Sequence, residues 1–80
     1  MNLIRNTRLK KRITQKQLAD MIGVTQAYIS KIESERFVNI SLVEIIKLSK
    51  SLQLKEIDVA KYFLDKYNNS YKNEFGSEMA

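Results

Sequence analysis

Residues 14–33 read TQKQLADMIGVTQAYISKIE, a stretch that opens two helices on either side of one glycine. Thr14 and Thr25 each stand where an N-cap is needed, because a short hydroxyl side chain accepts a hydrogen bond from the orphan N–H groups of a first helical turn. Ile13 with Leu18, and Val24 with Ile29, supply the apolar N′ to N4 contacts that set the direction in which the chain enters each helix. Gln17 completes a capping box with Thr14. The two caps leave room for one short helix from Gln15 to Ile22 and a tight turn at Gly23 and Val24. A second helix from Gln26 to Glu33 then follows.

Helical periodicity sorts the residues of this stretch into two faces. Leu18, Ala19 and Ile22 point inward from the first helix, with Ala19 small enough to lie under a crossing helix. Ile29 and Ile32 point inward from the second, which leaves Gln26, Ala27, Ser30 and Lys31 outward. Gly23 can take the left-handed conformation that ends a helix. The spacing is that of a helix-turn-helix unit, whose second helix can enter the major groove of DNA.

Working outward, the same logic places three further helices. A first helix covers residues 2–11, with Ile4 inward and cations Arg8, Lys10, Lys11 and Arg12 around its end, where they also favour the helix dipole. Ser41, with Glu44 in a capping box and Ile40 and Ile45 as a staple, opens a fourth helix from Leu42 to Leu52. Leu42, Ile45, Ile46, Leu48 and Leu52 in that helix read as core. A fifth helix starts near Glu56 or Ile57 and reaches at least Tyr67. Val59, Phe63, Tyr67, Tyr71 and Phe75 continue at four-residue steps, but Asn68, Asn69 and Ser70 favour turns and caps. The division expected is a domain over residues 1–67 and a polar tail over 68–80, frayed or disordered.

Composition narrows the class. Eighty residues suit one domain with a modest core, which usually needs a disulfide, a metal or a partner subunit for support. With no cysteine and no histidine, a second subunit is the remaining candidate, and no cofactor or metal site is implied. No apolar run is long enough to span a bilayer and the amino terminus lacks the succession of a secretory signal, so a cytoplasmic protein is expected. No proline, two glycines and abundant Leu, Ile and Lys predict an all-α fold. The whole net charge of +5 falls within residues 1–36, while cations and anions balance from Phe37 onward. That asymmetry fits a polyanionic partner, nucleic acid or an anionic membrane. A membrane-surface role would need a continuous basic amphipathic helix, and the basic residues here are spread over helix ends and turns. An enzyme is not expected, since no glycine-rich phosphate loop, metal-ligand cluster, histidine or cysteine is present.

Residues 4–54 resemble the phage-repressor and Xre-type helix-turn-helix family. The likeness rests on the Thr-Gln start, the Leu-Ala pair, the glycine turn and the Ile-x-x-Ile-Glu ending of residues 14–33, and on NISLVEIIKLSKSL at residues 39–52. RFVNIS, residues 36–41, also resembles controller proteins of restriction-modification systems. The resemblance implies a compact five-helix lambda-repressor-like DNA-binding domain, all-α, with the helix-turn-helix at helices 2 and 3. It implies that Gln15 contacts a DNA phosphate, that Thr25, Gln26, Ala27 and Lys31 face the DNA, and that Arg8 pairs with Glu33. Arg12 and Glu35 stand where many members of the family have glycine, so either they adopt a positive φ at a cost of about 1 kcal/mol or both connections differ in shape.

The chemistry of the outward face agrees with such a role. Gln26 can pair with adenine N6 and N7, Lys31 can donate to guanine N7 and O6, Ala27 can meet a thymine methyl, and Ser30 suits several bases. Gln15, Lys16, Thr25, Tyr28, Arg36 and Asn39 form the expected phosphate-contacting set. Two readings stay open for Tyr28, a hydroxyl given to phosphate or a ring packed on helix 2. For Lys10, Lys11 and Arg12 the choice is between DNA contact and solvation of a helix end. The function expected is a sequence-specific regulator of transcription, a repressor acting as a homodimer on a two-fold operator. Tyr62, Phe63, Leu64 and Tyr67 are its candidate dimerisation residues, although Phe63 and Val59 also suit the monomer core. An antitoxin or adaptor whose last helix and tail bind a partner protein is the alternative, and no small-molecule inducer is specified by the sequence.

Overall fold

The computed structural model describes residues 2–34, 36 and 39–79, with side chains described up to Asn69. Five helices follow one another: α1 Leu3–Lys10, α2 Gln15–Ile22, α3 Gln26–Glu33, α4 Leu42–Leu52 and α5 Glu56–Met79. No strand occurs among the described residues. α2 packs on α3 and α4, α4 packs on α5, and α1 lies against α4 and α5.

The caps account for where each helix begins. Asn2 Oδ1 accepts from the Arg5 N–H at 3.0 Å, so Asn2 caps α1 from outside the helix. Thr14 and Gln17 exchange both bonds of a capping box, at 3.0 and 2.8 Å. Thr25 accepts from the Tyr28 N–H at 3.1 Å, and Ser41 and Glu44 form the second box with two bonds of 3.1 Å. Each such cap satisfies a donor the helix itself cannot pair and contributes about 1 kcal/mol.

The chain leaves α1, α2 and α4 through left-handed residues, only one of which is glycine, whereas α3 ends at Ser34 in an extended conformation. Gly23 ends α2 with φ +75°, and a Cβ there would meet nothing within 4 Å, so the backbone angle alone demands glycine. Arg12 has φ +57°, which closes α1 by letting the Ile13 N–H reach the Arg8 carbonyl at 3.1 Å. Of the two connection shapes left open for Arg12, the strained one is therefore the one used. The corresponding question for Glu35 lies outside the described residues. Gln53, which nothing in the sequence marked, ends α4 with φ +56°.

The core consists of Ile4, Leu18, Ala19, Ile22, Ile29, Ile32, Leu48, Leu52, Val59 and Phe63, with contributions from all five helices. Full burial of each large side chain contributes about 1.5–3 kcal/mol. Leu42, expected in the core, is instead 72% exposed, and Ile45 and Ile46 are half-buried. The reason is position along the axis, not face. Leu42 is the first residue of α4 and overhangs the core that Leu48 and Leu52 enter. Ser49 is buried without loss, because its hydroxyl donates to the Ile45 carbonyl at 2.7 Å.

The backbone of α5 is helical through Asn68, Asn69 and Ser70 and on to Met79, past the point at which the sequence divides domain from tail. On its inner face, Lys66 is buried beside Phe63. Among the described residues no helix is long and apolar enough to cross a membrane.

Candidate nucleic-acid interface

α3 is amphipathic in the simplest sense. Ile29 and Ile32 are fully buried while Gln26, Ala27, Ser30 and Lys31 are all exposed, so two apolar anchors seat the helix and present the other four residues to solvent. Gly23 and the Thr25 cap fix its start relative to α2, since the Val24 N–H donates to the Ala19 carbonyl at 2.9 Å across the turn. Thr25 itself is exposed at the helix N-terminus, its Oγ1 occupied by the cap.

A buried ion pair fixes the other end. Arg8 Nε donates to Glu33 Oε2 at 2.7 Å and its terminal nitrogen to Oε1 at 2.9 Å, and the second terminal nitrogen reaches the Ile13 carbonyl at 2.9 Å. Both side chains are less than a tenth exposed. The bond from Glu33 raises the guanidinium of Arg8 above its ordinary value, against the opposing effect of burial. Gln15 Nε2 donates to the same Oε1 at 3.2 Å, which links the first residue of α2 to the last of α3. Gln15 is half-buried, so its amide is oriented by protein while its edge still meets solvent.

Lys16, Arg36 and Asn39 are exposed. Lys16 sits 3.4 Å from Asp20 in an exposed i,i+4 pair, a contact worth a few tenths of a kcal/mol that leaves the ammonium free to swing to another anion. Tyr28 has a partner that neither reading of its sequence named, while its ring packs, partly buried, against the core to which α2 contributes. Its hydroxyl donates to Glu44 Oε1 at 2.9 Å, which ties it to α4. Desolvation, reinforced by the bond to Glu44, pushes the phenol up to about 12. Glu44 is held below the usual carboxylate range, first by the Ser41 N–H and then by Tyr28 and nearby groups, against burial. Lys10, Lys11 and Arg12 are all exposed, and Lys11 donates to Gln53 Oε1 at 2.6 Å.

The four residues grouped on α5 do not share one environment. Leu64 is 61% exposed and Tyr67 37%, while Tyr62 is half-buried with its ring edge-on to Phe63, the centroids 5.2 Å apart. Phe63 is 2% exposed and must be removed from the dimerisation set, because it fills the core of the single chain. Ile40, Ile45, Ala60, Phe63, Leu64 and Tyr67 line a shallow apolar groove between α5 and the start of α4.

Two short helices joined by a glycine turn, the second seated by two isoleucines and tied at its end to α1 and α2, define a helix-turn-helix domain. A helix-turn-helix family model matches residues 4–59, and the chain belongs to that family, the Xre and lambda-repressor type. Comparison with curated proteins and with solved structures gave no match. The family is one of DNA-binding regulators of transcription.

Proposed function

We propose that the protein is a sequence-specific repressor that binds double-stranded DNA as a homodimer, with α3 in the major groove of each half of a two-fold operator. The observation that carries this reading is the exposed quartet Gln26, Ala27, Ser30 and Lys31 on a helix whose opposite face is fully buried. Gln26 would read adenine through its amide, Lys31 guanine, and Ala27 a thymine methyl, with Ser30 tolerant of several partners. Gln15, Lys16, Thr25, Arg36 and Asn39 would hold the phosphates on either side and set the register. The concentration of positive charge in residues 1–36 supports the same face. Tyr28 is omitted, because its proton is committed to Glu44.

Leu64, Tyr67 and Tyr62 would supply the contact between the two copies, placing the reading helices about one helical turn, roughly 34–36 Å, apart. Repression would follow from occupancy, the bound dimer excluding the transcription machinery from the same stretch of duplex.

Selection of binding sites from random duplexes tests the whole proposal. Two enriched half-sites related by a two-fold axis and centred about one turn apart are expected. Gln26→Ala and Lys31→Ala should each change the selected sequence, whereas Lys16→Ala should weaken all duplexes alike and reduce the salt slope by up to ~0.9. A pool with no enriched sequence, or a profile unaltered when both Gln26 and Lys31 are replaced, would refute it.

A further inference from the structure

α3 ends without a glycine, and two of its last carbonyls are satisfied by side chains from elsewhere in the fold. A helix C-terminus leaves carbonyls that lack an intrahelical partner and that carry negative partial charge. Ser34 donates from its N–H at 3.1 Å and from its hydroxyl at 2.6 Å to the Lys31 carbonyl. The next carbonyl, that of Ile32, accepts from Lys66 Nζ at 2.9 Å. The last, that of Glu33, accepts from Asn2 Nδ2.

Neither long-range donor is a surface accident. Lys66 is only 8% exposed, and its ammonium lies 5.3 Å from the ring centre of Tyr62 and 5.4 Å from that of Phe63, where the aromatic faces favour a cation. That burial desolvates the ammonium and pulls its pKa below the ordinary lysine value. Asn2 works in two directions, its Oδ1 capping the start of α1 and its Nδ2 capping the end of α3.

We infer that Asn2 and Lys66 are positioning residues for α3, clamping its C-terminal carbonyls from the start of α1 and from α5 so that the helix, with Lys31 near its far end, is held at a fixed angle to the rest of the domain. The inference rests on α3 being the DNA-reading helix. Eight residues at a 1.5 Å rise make a lever of about 12 Å, so a tilt of roughly 5° displaces one end by about 1 Å. A hydrogen bond to a base edge has a working range of about 0.5 Å, which such a tilt exceeds. The Arg8–Glu33 pair holds the far end of α3 through a side chain, whereas the bonds from Asn2 and Lys66 hold its backbone carbonyls directly. Because one clamp comes from α5, the set of the reading helix depends on the helix that carries the proposed dimer contact.

Asn2→Asp and Lys66→Met separate this from general stabilisation. Aspartate keeps the α1 cap but has no proton for the Glu33 carbonyl, and methionine keeps the length of lysine but has no donor for Ile32. Each variant is compared with wild type for its affinity toward the selected operator and toward a scrambled duplex at one salt concentration, under conditions where circular dichroism shows it folded. The expected result is a loss of about tenfold or more in operator affinity with scrambled-duplex affinity held within about twofold. Amide exchange should accelerate in the last turn of α3 but not in α4, and Lys66→Arg, which restores a cationic donor, should recover discrimination over Lys66→Met. If Lys66→Met does not fold, Asn2→Asp decides. A folded variant with wild-type discrimination and wild-type exchange at α3 overturns the inference. Failure of the underlying reading is distinct, since the wild-type chain would then select no duplex at all.

Discussion

Replacing Arg8 by Met removes three hydrogen bonds at once, two to Glu33 and one to the Ile13 carbonyl. The carboxylate left behind is 4% exposed and keeps only the 3.2 Å bond from Gln15. A buried charge stripped of its partner costs about 3–5 kcal/mol, a large share of the ~4–12 kcal/mol available to a domain of this length. Glu33→Met is expected to cost as much, because it strands the guanidinium. The double variant removes both charges and leaves only the Ile13 carbonyl and the Gln15 amide without their bonds. Gln15 can turn to water, so the combined cost should be about 1–3 kcal/mol, less than either single change. Urea unfolding followed by far-ultraviolet circular dichroism gives all four corners of the cycle, with equal m-values as the check that one transition is being compared. The signature is a double variant more stable than both singles, even if these are unfolded without urea. Single variants costing under ~1 kcal/mol, or a double variant whose loss equals their sum, would refute the view that this pair holds α3 to α1.

Three other predictions concern residues whose environment departs from a simple surface. Tyr28→Phe should lower stability by about 1 kcal/mol, as loss of a partly exposed bond to a carboxylate does, while leaving DNA affinity unchanged. Because the Tyr28 phenol is raised to about 12 in the folded chain, its contribution is complete below pH ~10 and lost between roughly pH 10 and 12. Glu44 has the opposite sign, its depressed value giving stability that is present above about pH 4.3 and lost as pH falls further. Stability measured across pH should show a smaller alkaline loss in Tyr28→Phe than in wild type, the remainder coming from Tyr62, whose phenol burial also raises. Arg12→Gly should raise stability by about 0.5–1 kcal/mol and Gly23→Ala lower it by about 1–2 kcal/mol, both through positive φ, read as shifts in thermal midpoint of several degrees. Leu64→Asp should abolish the proposed dimer in sedimentation equilibrium with little effect on unfolding free energy. Phe63→Ala should instead cost about 3–5 kcal/mol of fold stability, and the reverse pattern would exchange their roles.

The helix starts were legible because caps are local. Thr14, Thr25 and Ser41 each act on the N–H group three residues ahead, and no tertiary information is needed to place them. Ends were less so, since Arg12 and Gln53 take a conformation their residue types do not favour, one imposed by the path of the chain. On α5 the four-residue step from Val59 and Phe63 leads to Tyr67, whereas a helix repeats every 3.6 residues and turns Lys66 into the core instead. Lysine at such a position reads as surface until its partner is known, and that partner is a carbonyl on another helix. Tyr28 was ambiguous for the same reason, because Glu44 is brought to it only by the packing of α4.

The eight residues of α3 carry a consequence for information. About 12 Å of helix spans three or four base pairs at 3.4 Å each, so four base pairs bound what one copy can specify, and such a word recurs about once in 256 positions. In the proposed dimer, two copies reading eight base pairs would define about one site in 65,000, still short of uniqueness among the million or more positions of a small genome. On that proposal the remaining discrimination would come from the shape and flexibility of DNA between the half-sites, or from operators repeated side by side.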